Sequence, residues 1–144
     1  MVSVYLDTSA LLPYYRSEAR SEAVEAFLRA RSEPVAISDL TLVEVASALA
    51  RWVRRGEISE AEALRVERAF DDDLDAGRFT VHALGSRHTQ LARRWLLGRS
   101  TALRTLDALH MACAARAEAH LVTLDETLER SAAALGIPTI MLSD

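Results

Sequence analysis

Four carboxylates stand where the sequence is otherwise apolar, and their positions suggest a site for chemistry. Asp7 and Asp125 each follow a short apolar run, while Glu44 and Asp107 interrupt segments with mostly apolar neighbours. An ionised carboxylate in apolar surroundings is costly unless a cation or a metal ion pairs with it. We therefore take these four residues as the candidates for a functional site.

Acids of this kind, gathered in one place, predict a divalent metal ion. Two like charges about 4 Å apart repel by about 4 kcal/mol at an effective dielectric of about 20. Clustered acids therefore need cations or raised pKa values. Carboxylate oxygens without supporting histidine or cysteine suit Mg²⁺ or Mn²⁺. Zinc does not fit, because the four histidines show no ligand spacing with Cys113.

Each acid also has a simpler interpretation, which the residues alone leave open. Asp7 and Asp125 are good helix N-cap residues. Asp107 lies in the first turn of a predicted helix, where the helix dipole favours a negative charge. Glu44 can point to solvent on a polar stripe of its helix. The apolar surroundings of Asp107 and Glu44 are what favour the functional interpretation.

The apolar periodicity predicts strands that alternate with helices along the chain. The predicted strands are Val2–Leu6, Val35–Ile37, Phe79–His82, His120–Thr123 and Thr139–Leu142. The predicted helices are a brief turn at Leu11–Pro13 and longer segments at Ser17–Arg31, Asp39–Arg55, Ser59–Asp75, Ser86–Leu97, Thr105–Ala117 and Asp125–Leu135. This alternation implies βαβ crossovers and a mostly parallel sheet with helices on both faces.

The predicted elements bring the four acids toward one edge of the sheet. Ligands of open α/β sheets bind just beyond the carboxyl ends of the strands, and Asp7 and Asp125 follow two of those ends. The first turn of the helix that carries Asp107 can open on the same edge. Glu44 lies early in the helix that follows the second strand. We therefore expect four acids from four separate segments to converge.

Length and composition predict a single domain over residues 1–144, located in the cytoplasm. A chain of 144 residues has the usual size of one domain, and half of its residues are apolar. The single cysteine, Cys113, excludes an internal disulfide framework. We see no secretory signal pattern and expect no membrane span. The net charge of −4 speaks weakly against a nucleic-acid partner, although bound divalent metal would offset it.

The sequence resembles the PIN-domain ribonucleases, and within them the VapC toxins of bacterial toxin–antitoxin pairs. The resemblance is carried by four segments that occur in the family's order and span nearly the whole chain. These segments are Tyr5–Leu11, Ser38–Val45, Leu106–Ala112 and Leu121–Asp125. Any one of them is a weak signal, whereas four in order within a βα pattern are specific.

The resemblance implies a PIN-like three-layer α/β/α sandwich with a five-stranded parallel sheet. It implies a Mg²⁺- or Mn²⁺-dependent endoribonuclease that hydrolyses RNA by metal-activated water. The family's four metal-binding and catalytic acids correspond to Asp7, Glu44, Asp107 and Asp125, and its small hydroxyl residues, which orient the carboxylates, correspond to Thr8, Ser9 and Thr123. Further implications are a homodimer and a VapB-like antitoxin that blocks the acids.

RNA also needs cationic contacts for its phosphates. Our candidates are four arginines around the loop before Asp107, namely Arg93, Arg94, Arg99 and Arg104. For each of them, an ordinary solvated surface role is an open alternative.

Two other enzyme classes with acidic pockets on parallel sheets fit less well. A phospho-accepting receiver domain relies on a lysine near its acids, and this chain contains no lysine. A haloacid-dehalogenase-type phosphatase would carry a second acid two residues after the first, where this chain has Ser9. The alternative that stays open is a catalytically weak PIN fold that acts mainly by binding an antitoxin or another partner.

Overall fold

Five strands and seven helices alternate along residues 1–143, the part of the chain that the structure, a computed structural model, describes. The strands are β1 (Val4–Leu6), β2 (Val35–Ser38), β3 (Phe79–His82), β4 (His120–Thr123) and β5 (Thr139–Met141). The helices are α1 (Thr8–Tyr15), α2 (Ser21–Arg29), α3 (Asp39–Arg54), α4 (Glu60–Asp75), α5 (Ser86–Gly98), α6 (Thr105–Arg116) and α7 (Glu126–Ala134).

The strands form one parallel sheet in the order β3-β2-β1-β4-β5. Strand β1 is central, with Tyr5 paired to Ala36 of β2 and to Leu121 of β4. All the strands therefore run in one direction, and the carboxyl ends of β1, β2 and β4 lie side by side. The predicted five-stranded parallel sheet of the α/β class is confirmed.

Helices cover both faces of the sheet, because successive side chains of a strand point to opposite faces. Leu6, Ile37 and Val122 belong to one apolar core, which is completed by helices α1 to α4. Tyr5 and Leu121 belong to a second core, which is completed by helices α6 and α7. Both faces of the central strands are thus buried, as parallel sheets require. The result is the predicted three-layer sandwich.

Two helix boundaries near the N-terminus differ from the prediction. Helix α1 begins at Thr8 and is not the brief turn predicted at Leu11–Pro13, because the Asp7 side chain caps it by accepting from the N–H of Ala10. Helix α2 begins at Ser21 and not at Ser17. The preceding residues form a local turn, in which the N–H of Glu18 donates to Oγ of Ser21 at 2.9 Å.

Helix α6 is the buried helix that its apolar sequence predicts. Six of its residues are buried, and they include His110 and Cys113. Helix α5 packs along it and shields it from solvent. None of the helices in residues 1–143 combines the length and the apolar character that a membrane crossing demands.

Candidate active site

Asp7 lies at the carboxyl end of the central strand and is almost completely buried. One carboxylate oxygen, Oδ1, accepts from the N–H of Ala10 at 3.0 Å and from Oγ of Ser9 at 2.8 Å. The other, Oδ2, accepts from Oγ1 of Thr123 at 2.6 Å. The residue is therefore an N-cap, as the simpler interpretation held. It is also fixed at the sheet edge by hydroxyls from β4 and α1.

Asp125 is linked to the same set of hydroxyls from the neighbouring strand. Its backbone N–H donates to Oγ1 of Thr123, which in turn donates to Asp7. Its carboxylate oxygen Oδ1 caps α7 by accepting from the N–H groups of Thr127 and Leu128. Within residues 1–143, Oδ2 of Asp125 accepts no hydrogen bond. One oxygen of this carboxylate is therefore free for a ligand.

Glu44 does not point to solvent but turns toward α1 and α6. Its Oε1 accepts from Oγ1 of Thr8 at 2.7 Å and is hydrogen-bonded to Nε2 of His110. Burial acts to raise the pKa of Glu44, but the hydrogen bonds and charge of His110 and the hydroxyl of Thr8 outweigh it, so the pKa is lowered. Glu44 is therefore held as a carboxylate.

Asp107 lies in the first turn of α6 and is half-buried. Burial raises the pKa of Asp107, and like-charge repulsion from Asp125 raises it further, while the backbone N–H of Arg104 acts against both. Asp107 and Asp125 therefore lie close enough for their charges to interact. Burial also raises the pKa of Asp7, against the hydrogen bonds from Thr123 and Ser9.

Three of the acids lack a cation at the site. The ion pairs within residues 1–143 do not include Asp7, Asp107 or Asp125. Glu44 pairs only with His110. Carboxylates that are desolvated and close to each other, with no ion pair to an arginine, carry an unfavourable charge that a bound cation would relieve.

The oxygen-rich site suits a hard divalent cation without enclosing one. Among residues 1–143, no three His, Cys, Asp or Glu side chains are grouped tightly enough to hold a metal ion by themselves. Asp107 instead lies near Asp125, and Thr123 links Asp125 to Asp7. Glu44 is bonded to the hydroxyl of Thr8 and the imidazole of His110. Mg²⁺ is usually held by one or two carboxylates together with waters and substrate phosphates, so this open arrangement fits it.

The four candidate RNA-binding arginines all lie on the surface. Arg93 and Arg94 are exposed on α5, Arg99 is its left-handed C-cap residue, and Arg104 is the N-cap residue of α6. Arg104 is the one whose charge acts on a site carboxylate, that of Asp107.

Three further residues at the site are not among the site residues predicted from the sequence. His110, on the buried helix α6, bonds Glu44; its position three residues after Asp107, on the same helix face, was an available signal. Tyr5 lies on the buried strand β1, and its hydroxyl is hydrogen-bonded to His110. Arg20 donates from Nη1 to the carbonyl oxygen of Leu124, next to Asp125, and nothing in the sequence pointed to this contact.

Comparison with known proteins identifies the family of this chain. The family model for the PIN domain matches residues 4–134. Ribonuclease VapC47 of Mycobacterium tuberculosis (strain CDC 1551 / Oshkosh) is 32% identical over 142 residues, which cover 94% of each chain.

Two solved structures share the fold at low sequence identity. The first is Mycobacterium tuberculosis VapC20, a sarcin–ricin loop-cleaving toxin, with a TM-score of 0.69, 14% identity, and coverage of 96% of this chain and 99% of that one. The second is the DNA-bound VapBC of Salmonella typhimurium, with a TM-score of 0.69, 18% identity, and coverage of 100% and 98%. The fold, the extent of the family match and the identity to VapC47 lead to one conclusion: this chain belongs to the PIN domain family.

Proposed function

We propose that the protein is a Mg²⁺- or Mn²⁺-dependent endoribonuclease and the toxin of a type II toxin–antitoxin pair. The observation that carries this proposal is the set of acids at the carboxyl ends of β1 and β4, which have no arginine ion pair within residues 1–143. Membership of the PIN domain family and the ribonuclease name of the relative VapC47 support RNA as the substrate.

In this proposal the four acids have different roles at one scissile phosphate. Asp7, Asp107 and Asp125 hold the metal ion, and Glu44 binds it or orients the attacking water. A bound Mg²⁺ or Mn²⁺ supplies a water of lowered pKa and neutralises charge on the in-line transition state. The hydroxyls of Ser9 and Thr123 donate to Asp7, and that of Thr8 donates to Glu44, so the carboxylates are oriented before substrate arrives.

The bond that breaks joins phosphorus to the 3′-oxygen of RNA. The water oxygen forms the new bond to phosphorus, and the 3′-oxygen leaves with a proton. The products therefore carry 5′-phosphate and 3′-hydroxyl ends. None of the four acids is consumed, because they act only by holding the metal ion and orienting the attacking water.

RNA phosphates are proposed to contact the exposed arginines of α5 and the loop before α6. Arg104 is the strongest candidate among the four, because it stands at the first turn that carries Asp107. Arg93, Arg94 and Arg99 extend the cationic surface away from the acids. Phosphate contacts of this kind position RNA without reading its sequence.

The partner we propose is a VapB-like antitoxin, as in the VapBC complex of Salmonella typhimurium. A groove of about 670 Å³ runs between α3 and α4. Its apolar lining includes Leu49, Val53 and Phe70, and acidic residues such as Glu67 and Asp71 lie at its rim. An amphipathic helix with an apolar face and basic flanks would fit such a groove. The expected homodimer stays a prediction, to be checked by light scattering of the purified protein.

A second candidate function is partner binding with little catalysis, and the groove is the observation that favours it. The two candidates differ in one measurable respect. An endoribonuclease cleaves RNA in Mg²⁺ without its antitoxin, whereas a binding module does not.

Asp7→Asn is expected to abolish RNA cleavage, as is excess EDTA. The substitution keeps the side-chain shape and the cap position but removes a metal-binding charge. Cleavage of structured RNA in Mg²⁺, followed by mapping of the RNA ends, measures the effect. Asp72→Asn, an exposed acid on α4, is the matched control and keeps full activity. Cleavage that survives Asp7→Asn or EDTA would disprove the metal mechanism.

Asp107→Asn is expected to raise the melting temperature of the metal-free protein by a few degrees while it abolishes cleavage. Burial and the charge of Asp125 both disfavour the ionised Asp107, so removing this charge relieves the folded state. Thermal unfolding with and without Mg²⁺ tests this, and the variant should lose most of the stabilisation by Mg²⁺. A lower melting temperature in metal-free buffer contradicts the prediction.

Arg104→Ala is expected to raise KM for RNA and to leave kcat nearly unchanged. Losing one phosphate contact should reduce the slope of log affinity against log salt by about 1. Binding of RNA to a cleavage-deficient protein, followed over a series of salt concentrations, gives this slope. Arg68→Ala, an exposed arginine on α4, should leave it unchanged. Equal slopes for the two variants would remove Arg104 from the RNA surface.

Ala50→Glu is expected to abolish antitoxin binding without affecting cleavage of RNA. Ala50 lines the α3–α4 groove, and a glutamate there would place a charge against the apolar face of a docked helix. Co-purification with the product of the neighbouring reading frame measures binding. Ser47→Glu on the same helix lies outside the groove lining and serves as the control. Equal binding by both variants would direct the search to another surface.

A further inference from the structure

A chain of buried hydrogen bonds leads from the second core to Glu44. The Tyr5 hydroxyl lies 2.8 Å from Oγ of Ser38 and 2.7 Å from Nδ1 of His110. On the other side of the imidazole ring, Nε2 of His110 is hydrogen-bonded to Oε1 of Glu44. Tyr5 and Ser38 are completely buried, and His110 is 3% exposed. Two strands, β1 and β2, and one helix, α6, thus contribute to the position of the Glu44 carboxylate on α3.

The partners determine which way the hydrogen bonds run. An ionised carboxylate only accepts, so Nε2 of His110 must carry the hydrogen in its bond to Glu44. With a single ring hydrogen on Nε2, Nδ1 accepts from the Tyr5 hydroxyl, and with a second ring hydrogen Nδ1 donates to the Tyr5 oxygen. The bond from Nε2 to Glu44 is the same in both cases. Burial raises the pKa of Tyr5 well above its ordinary value, so this hydroxyl keeps its proton. Tyr5 and Ser38 complete the chain with a hydrogen bond between their hydroxyls.

Both donors to Glu44 converge on the same oxygen. Thr8 and His110 each bond Oε1, and within residues 1–143 no donor reaches Oε2. A carboxylate held through one oxygen presents the other in a fixed direction. Because Thr8 directly follows Asp7 and His110 is on the helix of Asp107, the bonded oxygen Oε1 lies between α1 and α6.

We propose that His110, oriented by the Tyr5–Ser38 pair, is a positioning residue that fixes Glu44 for cation binding. This inference rests on the proposed metal-dependent function and deepens it. His110 does not contact metal or RNA. It donates from Nε2 to Oε1 of Glu44 and leaves Oε2 for the cation.

A histidine that merely fills space in the core would behave differently. Such a ring needs no defined hydrogen on Nε2, and an apolar side chain of similar volume would replace it without affecting the metal. The positioning role instead requires a donor at that place. Partners of this kind typically contribute about 10- to 100-fold to metal affinity or activity.

The first test uses the unmodified protein without metal. Nitrogen-15 NMR of the histidine rings, with long-range proton couplings, reports which ring nitrogen carries hydrogen. His110→Gln identifies the signals by their loss. We expect Nε2 of His110 to be protonated. A bare Nε2 would overturn the proposal, because the ring could then not donate to Glu44.

The second test measures Mn²⁺ binding by calorimetry, together with RNA cleavage. His110→Leu should weaken Mn²⁺ binding by about 10- to 100-fold and lower kcat with little change in KM for RNA. Tyr5→Phe removes only the orienting hydroxyl and should show the smaller end of this loss. His110→Gln restores a donor toward Glu44 and should recover most of the affinity. Thermal unfolding of each variant checks that it is folded.

Met111→Leu is the matched control, because Met111 is a fully buried neighbour on the same helix and the substitution conserves volume. It should bind Mn²⁺ as the wild type does. Wild-type uptake of Mn²⁺ with an unchanged His110→Leu variant overturns the inference alone. A wild type that takes up no Mn²⁺ overturns the metal-dependent function, and the inference with it.

Discussion

The rest of the structure depends on one electrostatic constraint. Several carboxylates lie at one edge of a parallel sheet, where they repel one another and lose contact with water. Asp7 is almost completely buried at the end of β1, and the charge of Asp125 repels that of Asp107, while no ion pair within residues 1–143 includes either of them. Each of these features costs folding free energy. The fold tolerates them because the apolar cores on both faces of the sheet supply stability elsewhere.

Neutral hydrogen-bond donors, rather than positively charged side chains, limit this cost in free energy. N–H groups at the start of α1 and α7 bond Asp7 and Asp125, and the hydroxyls of Ser9 and Thr123 join the two strands between them. Such donors stabilise a carboxylate without cancelling its charge, whereas an arginine ion pair would occupy the position of a metal. The capping and functional interpretations of Asp7 are therefore compatible, because the contacts that begin the helix also hold the carboxylate in place.

Glu44 has different hydrogen-bond partners, and its pKa is shifted in the opposite direction from the pKa values of Asp7 and Asp107. Burial raises the pKa of Asp7 and Asp107, whereas His110 and Thr8 lower that of Glu44. The surroundings of Asp7 and Asp107 disfavour the charged form of each side chain, whereas the surroundings of Glu44 favour its charged form. Sites with pKa values shifted in opposite directions are typical of functional centres.

The sequence by itself determined the fold class and the order of the elements, and it singled out four acids as candidates for the site. Apolar runs and caps are local signals, and Asp7 and Asp125 stand beside them. It did not determine that Glu44 would meet His110 or that Tyr5 would orient that ring, because Tyr5 and His110 are 105 positions apart. That contact depends on strand order, register and the face to which Tyr5 points. These are properties of the assembled sheet, since long-range packing decides them and no local pattern encodes them.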